Sequence, residues 1–518
     1  MLFFLDRACL KVNDIDAVVF YEKPFLKFDR ILNSTLKKYP DSEKYFNDTI
    51  KVWFRDKKFE VKERILGGLN IQEDKIHFVE HHKTHAASAF FCSPFAKSTI
   101  VTIDGVGEYE TLTVSKGNGI EIEKVYSQKL PNSLGLFYTA FTAFLGFKIN
   151  IGEYKLMGMS GFGKPLYKDL LRNFFELKSD GTFEIKQDCF NFLCPEKLPF
   201  NQNLINMIGR PRKPESSFDI GIQSDNPTSI QKMSCHYANI AASVQQVTEE
   251  VILHVVKNAV KRIGFSDVSM AGGVALNSLA NGKLQKELKG RLYVHPAAGD
   301  SGGALGAALY FNHCIKKKPR YKELDNLYLG KEYSESEILK FLNEENITSY
   351  EKFSIIDDLL TKVAEKLSKG SVIGWFQGRF EWGPRALGAR SIIADPSRKD
   401  IKSIVNEKIK FREPFRPFAP AVLAEKANDF FDIPEPYSFT CPEHFMLAIA
   451  NVHREKRSII PSVTHVDGTA RVQLVQKRVN PLFYELIKKF EKIKGIPMLL
   501  NTSFNLRVKR RAYCKFTW

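Results

Sequence analysis

Two histidines four residues apart, His81 and His85, stand in the segment HFVEHHKTH that begins at His77. On a helix, positions i and i+4 share a face, so both imidazoles can reach one divalent ion. The same spacing also fits a histidine pair satisfied inside a core or solvated at a surface. His82 sits about a quarter-turn from His81 and reads as a neighbour rather than a ligand. Asp104 closes the β-branched run Ser98–Ile103 and enters the turn IDGVGEYET. A carboxylate at a strand's C-terminal end opens into the crevice that layered α/β folds use for ligands, and a turn-forming aspartate fits the position equally well. Asp300 precedes a small-residue helix in GDSGGALGAA, where the alternative role is an N-cap. If these four converge, the mixed nitrogen and oxygen donors suit iron, manganese or zinc. Such an ion polarises a carbonyl or activates a hydroxyl.

A second group suits anions. The turn AGGVALN allows close backbone approach at Gly272 and Gly273, and the helix expected after Asn277 offers its first amides to an anion. The turn matches neither the dinucleotide fingerprint nor the phosphate-loop motif, so nucleotide binding and a structural turn both stay open. The glycine-rich stretch from Gly152, which contains Lys155, has the same two readings. Further on, GWFQGRFEWGPRALGARS supplies Arg379, Arg385 and Arg390, and NEKIKFREPFRPFAP supplies Lys408, Lys410, Arg412 and Arg416. Alternation at 408, 410 and 412 predicts a strand with three cations on one face. These charges are interleaved with Trp382, Pro384, Phe411, Phe415 and Phe418, a texture of a packed pocket rather than of a solvated face. Arginine forks and lysine point charges together suit a triphosphate and a second phosphorylated substrate. Arg471, Asn501 and Ser503 can add donors to the same pocket.

These residues need elements to hold them. Short β-branched runs alternate with helical patterns over the first three hundred residues, the pattern of layered α/β folds. A helix is predicted from about Tyr237 to Ile263, ended by Gly264, and a strand around Val268 leads into the AGGVALN turn. The apolar periodicity lapses near 315–335 in a Lys- and Pro-bearing stretch, which reads as a linker. Two amphipathic helices, about 335–346 and 357–369, then precede a strand at 371–376. The chain has 518 residues with 76 Lys+Arg against 59 Asp+Glu, a formal charge of +17, and 44% hydrophobic residues. That composition excludes a disordered chain, and the length suggests about two to four domains. Eight scattered cysteines without a CxxC pair exclude a disulfide scaffold and fit reduced thiols in a cytoplasm. The charge favours anionic partners without choosing among them.

Taken together and in order, EHHKTHAASAFF, TIDGVGEYET, GEYKLMGM, AGGVALN, GDSGGALGAA, FQGRFEWGPRALGARS and KFREPFRPFAP resemble the O-carbamoyltransferase family of nodulation-factor, aminoglycoside and cephem carbamoyltransferases. The resemblance covers nearly the whole chain. It implies an α/β protein with an N-terminal actin-like ATPase-type domain, similar to the universal tRNA threonylcarbamoyltransferase, over residues 1–325. A C-terminal YrdC-like α/β domain is implied over 326–505, followed by an atypical basic tail at 506–518. It further implies that ATP and carbamoyl phosphate form carbamoyl-adenylate in the second domain, and that the first passes the carbamoyl group to a hydroxyl of a sugar or secondary-metabolite acceptor. Carried over residue by residue, His81, His85, Asp104 and Asp300 match the metal ligands, with iron expected and manganese or zinc as alternatives. Gly272, Gly273 and Asn277 match the adenylate turn, with Lys155 beside them. Arg385, Lys410 and Arg416 match the catalytic phosphate pocket, with Arg390, Arg471, Asn501 and Ser503 as nucleotide contacts. A homodimer is an expectation; a membrane or nucleic acid partner is not.

Two departures accompany the resemblance. Family members begin with a strand and a Gly/His/Asp/Ser-rich turn that this chain starts after, and they continue beyond NTSFN with a different closing segment. Residues 506–518 instead hold five cations and no acid, so a product clipped at both ends is expected. The alternatives are a tRNA threonylcarbamoyl-adenosine enzyme and a catalytically impaired fragment that only binds nucleotide.

Overall fold

A computed structural model describes residues 2–194, 198–219, 227–413, 415–434 and 441–505. The expected tail at 506–518 therefore lies outside the described residues. The described residues form two compact units, one drawn from 2–157, 164–217 and 239–323, the other from 158–163, 218–238 and 324–505.

The first unit is built on a five-stranded mixed sheet of β1 (Lys97–Ile103), β2 (Glu110–Asn118), β3 (Glu121–Lys129), β4 (Val268–Ala271) and β5 (Leu292–Val294). Their order is β3-β2-β1-β4-β5. The first hairpins are antiparallel, whereas β1, β4 and β5 run parallel. Both faces of the parallel strands are covered, so their polar positions Ser98, Thr99, Thr102 and Ser269 are fully buried along with Ile100, Val101, Ile103, Val268 and Met270. Asp104 and the AGGVALN turn follow adjacent parallel strands and so emerge at one end of the sheet. The condition for a shared face at His81 and His85 is met, since the segment His81–Phe91 is an α-helix. It packs against the Gly303–Leu309 helix so closely that a Cβ on Gly306 would fall 2.0 Å from the Thr84 carbonyl oxygen. The small residues after Asp300 therefore set how near that aspartate comes to the histidines.

The long helix begins earlier than its apolar stripe suggests, at Ser229, and runs to Ile263. Thr228 and Gln231 exchange side-chain and backbone hydrogen bonds at 2.9 and 3.2 Å, a capping box that starts the helix ahead of its buried residues. Gly264 ends it at φ +81°.

The second unit carries a sheet of β6 (Ile373–Phe376), β7 (Arg390–Ala394), β8 (Ala419–Leu423), β9 (Gln473–Val475) and β10 (Met498–Ser503), in the order β6-β7-β10-β8-β9. The two amphipathic helices occur at Glu335–Glu344 and Ile356–Ser368. The latter packs with the Pro481–Lys494 helix around Leu360, Ala364, Leu367, Phe483, Leu486, Ile487 and Phe490. Full burial of each large side chain there contributes about 1.5–3 kcal/mol.

One expected strand is absent. Residues Ile404–Ile409 form a π-helical turn and Lys410 caps it, so positions 408, 410 and 412 do not share a strand face. Ile401 and Val405, one helical turn apart, are buried in the core, and this apolar pair outweighs the charge alternation. Lys408 is left exposed while Lys410 is buried. Among the described residues, no helix is long and apolar enough to cross a membrane.

Candidate active site

In the first unit His81, His85, Asp104 and Asp300 offer ligand atoms that all lie within 4.8 Å of one another. The Nε2 atoms of His81 and His85 are 3.0 Å apart, and Asp104 Oδ2 lies 3.3 Å from the first and 3.0 Å from the second. Asp300 Oδ1 stands 3.5 Å from His81 Nε2 and 3.9 Å from His85 Nε2. Ligand atoms on bonds of ~2.1 Å at tetrahedral angles are about 3.4 Å apart, so the four donors fit one ion. The histidines and Asp104 are enclosed, whereas the Asp300 side chain is 67% exposed and marks the open side.

The electrostatics favour a cation at this point. Burial opposes charge on His81, yet its hydrogen bond to Asp104 and the nearby carboxylates raise its pKa overall. Burial likewise works against an ionised Asp104, but the two histidines hold its carboxyl well below the usual range. His82 is different. Burial, with His85 and His81 beside it, pushes it down to about 3. Its ring nitrogens meet Thr102 Oγ1 at 2.6 Å and the Glu110 carbonyl at 2.9 Å. His82 is thus a neutral packing neighbour of the ligand pair.

The Gly-rich turn sits against the same aspartate. A Cβ on Gly273 would lie 3.1 Å from Asp104 Oδ1, and one on Gly272, at φ +93°, would fall 2.2 Å from the Ile103 carbonyl oxygen. Gly272 donates its N–H to the Ala298 carbonyl at 2.7 Å. Asn277 caps the Ser278–Glu287 helix through the Ala280 N–H at 3.1 Å and exchanges hydrogen bonds with Gln245 at 3.0 and 3.1 Å. Lys155 lies on the Glu153–Ser160 helix with its Nζ 5.6 Å from the Phe147 ring centre.

The second unit gathers a different set. The charges acting on Arg471 are Arg385, Arg412 and Arg416; burial first, and then these cations, drive its pKa well below the usual arginine value. Its Nε is buried without a hydrogen-bond partner among the described residues. Lys410 is 3% exposed, and burial, with Arg412 and Arg416 nearby, lowers it to about 7. Its Nζ donates to the Ser503 carbonyl at 2.7 Å and to Asn505 Oδ1 at 2.8 Å. Ser503 Oγ in turn donates to Asn505 at 2.7 Å. Asn501 donates to the Ala386 carbonyl at 3.0 Å and to Gln473 Oε1 at 2.7 Å. Glu413 approaches Arg416 at 3.7 Å. Like charges that disfavour one another in a buried setting are stabilised by an anion between them.

Arg390 stands apart from that set. Its guanidinium lies 3.5 Å from the Phe376 ring centre and 4.1 Å from that of Phe380. It donates to the carbonyls of Gln377, Gly378 and Ala389 at 2.6–2.9 Å. In this arrangement it braces the loop that carries Arg385.

Lys410 gives this unit a pH signature. An unfolded lysine titrates at about 10.4, so between about 7 and that value the unfolded chain binds the extra proton. Stability of the anion-free protein therefore rises with pH across this window, and the penalty is fully present below it. Urea unfolding at pH 6.5 and pH 9 measures the slope, and Lys410→Met is expected to flatten it. Equal slopes in parent and variant would contradict the burial of a charged amine here.

Comparison with known proteins gives two family matches. The carbamoyltransferase N-terminus model covers residues 1–309 and the carbamoyltransferase C-terminus model covers 364–511. An uncharacterised protein of Synechocystis sp. is 39% identical over 97% of this chain and 84% of its own length. The nodulation protein NolNO of Sinorhizobium fredii is 33% identical over 98% of this chain and 69% of its own. The nodulation protein NolO of Bradyrhizobium diazoefficiens is 34% identical over 82% and 73% respectively.

Proposed function

The chain belongs to the carbamoyltransferase family, and from that premise we propose that it is an ATP-dependent O-carbamoyltransferase acting on a hydroxyl of a sugar or secondary-metabolite acceptor. Water cleaves carbamoyl phosphate to carbamate and phosphate, and a carbamate oxygen then attacks the α-phosphorus of ATP, so that carbamoyl-adenylate forms as pyrophosphate leaves. The acceptor oxygen then attacks the carbamoyl carbon, its proton is lost, and AMP leaves.

The observation that carries this reading is the cluster of Arg385, Lys410, Arg412, Arg416 and Arg471, in which burial first, and then the neighbouring cations, lower Arg471 and Lys410. The cluster would hold phosphate oxygens and neutralise charge developing on phosphorus. Asn501 and Ser503, tied to Gln473, Ala386 and Lys410, would fix its edge. In the first unit His81, His85, Asp104 and Asp300 would hold a divalent ion, with iron first and manganese or zinc next. Such an ion, when bound, supplies a Lewis acid for the carbamoyl carbonyl or the acceptor hydroxyl. Asp300 would face the entering acceptor from the exposed side, and Gly272 and Gly273 would let the adenylate approach Asp104. The mixed five-stranded sheet with both turns at one end supports reading the first unit as actin-like; the second unit is read as YrdC-like, and the enzyme as cytoplasmic, on the family resemblance alone.

Incubation with ATP, carbamoyl phosphate and a sugar acceptor tests the proposal. Pyrophosphate release is expected to require carbamoyl phosphate, and omission of that donor should reduce it to background. Release that ignores carbamoyl phosphate and responds instead to threonine, bicarbonate and tRNA would sink it in favour of threonylcarbamoyl transfer. Nucleotide binding without any pyrophosphate release would identify a chain that binds but does not turn over.

A further inference from the structure

Glu108 belongs to the turn between β1 and β2 and is not among the four candidate ligands. It is only 7% exposed. Both of its carboxylate oxygens accept from the His81 backbone N–H at 3.1 Å, and Oε1 also accepts from the Lys23 backbone N–H at 2.8 Å. His81 is the first residue of its helix, and the residue before it, Glu80, makes no side-chain capping bond. The first amides of a helix need acceptors, and a carboxylate is the favoured one at the positive end. Glu108 fills that role from 27 residues along the chain.

The turn leaves Glu108 little freedom. A Cβ on the preceding residue, Gly107, would fall 3.0 Å from His81 Cβ and 3.1 Å from His82 Cδ2. The Gly107 carbonyl accepts from Arg30 Nη1 at 2.8 Å. One short turn therefore grips His81 twice, through Asp104 at Nε2 and through Glu108 at the backbone N–H. Lys23 extends the grip to the neighbouring segment, in which the Tyr21 ring lies 6.1 Å from the His81 ring.

We propose that Glu108 is a positioning residue for the metal: it fixes the first turn of the His81–Phe91 helix so that His81 Nε2 faces His85 and Asp104. The inference rests on the metal reading of those residues. Partners behind metal-binding histidines commonly set affinity by 10–100-fold.

Co2+ titration of the full chain, followed by visible absorption and compared with the unfolding midpoint, tests it. Glu108→Ala is expected to raise the Co2+ dissociation constant by about 10–100-fold and to change the shape of the d–d bands. Glu108→Gln keeps one acceptor oxygen but turns an amide donor toward the His81 N–H, so an intermediate loss is expected. A residue that only stabilised the fold would lower the midpoint and leave the spectrum of the loaded protein unchanged. If the alanine variant does not fold, the glutamine variant carries the comparison. Parental affinity and band shape in the folded variants overturn the proposal alone. A parent chain that binds no Co2+ overturns the metal reading and this inference with it.

Discussion

Asp104→Asn is expected to weaken divalent-metal binding by more than about 100-fold and to abolish carbamoyl transfer to the acceptor, while pyrophosphate release continues near the parental rate. Among the described residues, Asp104 is the one carboxylate within 3.3 Å of both histidine Nε2 atoms. The amide keeps its volume but loses the negative charge and one acceptor. A direct ligand contributes at least as much as the supporting residues behind it, which sets the lower bound on the affinity loss. On the proposed assignment the two half-reactions would separate, because the Asp104 set lies in the first unit and the arginine cluster in the second. Metal content after dialysis, pyrophosphate release and acceptor carbamoylation are measured on the same preparation. Parental metal content with parental transfer would remove Asp104 from the site, and loss of both half-reactions would deny their separation.

Arg471→Met is expected to cut carbamoyl-phosphate-dependent pyrophosphate release by about 10²–10³-fold and, in the same protein, to raise the anion-free unfolding midpoint. The two effects have one cause. Arg385, Arg412 and Arg416 disfavour its charge, and its buried Nε lacks a hydrogen-bond partner among the described residues. A methionine of similar length removes repulsion and an unmet donor while keeping the packing. Stability gained where activity falls is the signature of a functional site held under strain. Sulfate, which does not titrate near neutrality, should raise the parent's midpoint more than the variant's. A variant that is less stable and equally active would show Arg471 to be a structural residue.

The members of the candidate ligand set were legible one by one, each with a structural alternative, and only the resemblance joined them into a set. The His81–His85 spacing places two rings on one helical face, and Asp104 ends a run whose β-branched residues form a strand. The cation cluster was legible in composition but not in geometry. Charge alternation at 408–412 predicted a strand, whereas Ile401 and Val405 bury one helical face and expose Lys408. The early start of the long helix at Ser229 was written in Thr228 and Gln231, a polar signal outside the apolar stripe. Arg390 looked identical to its neighbours until Phe376, Phe380 and three carbonyls were seen around it.

Residue types, the order of motifs and hence the family follow from the chain alone, because those are properties of neighbours along it. Tertiary structure decided which charges meet. Gly306 sets how close Asp300 comes to the histidines, Glu108 reaches back 27 residues to cap the helix of His81, and Arg471 lies among cations drawn from two distant segments. Hydrogen bonds and Coulomb interactions act over a few ångströms in space, without regard to separation in sequence, so they exist only once the sheets have brought their bearers together.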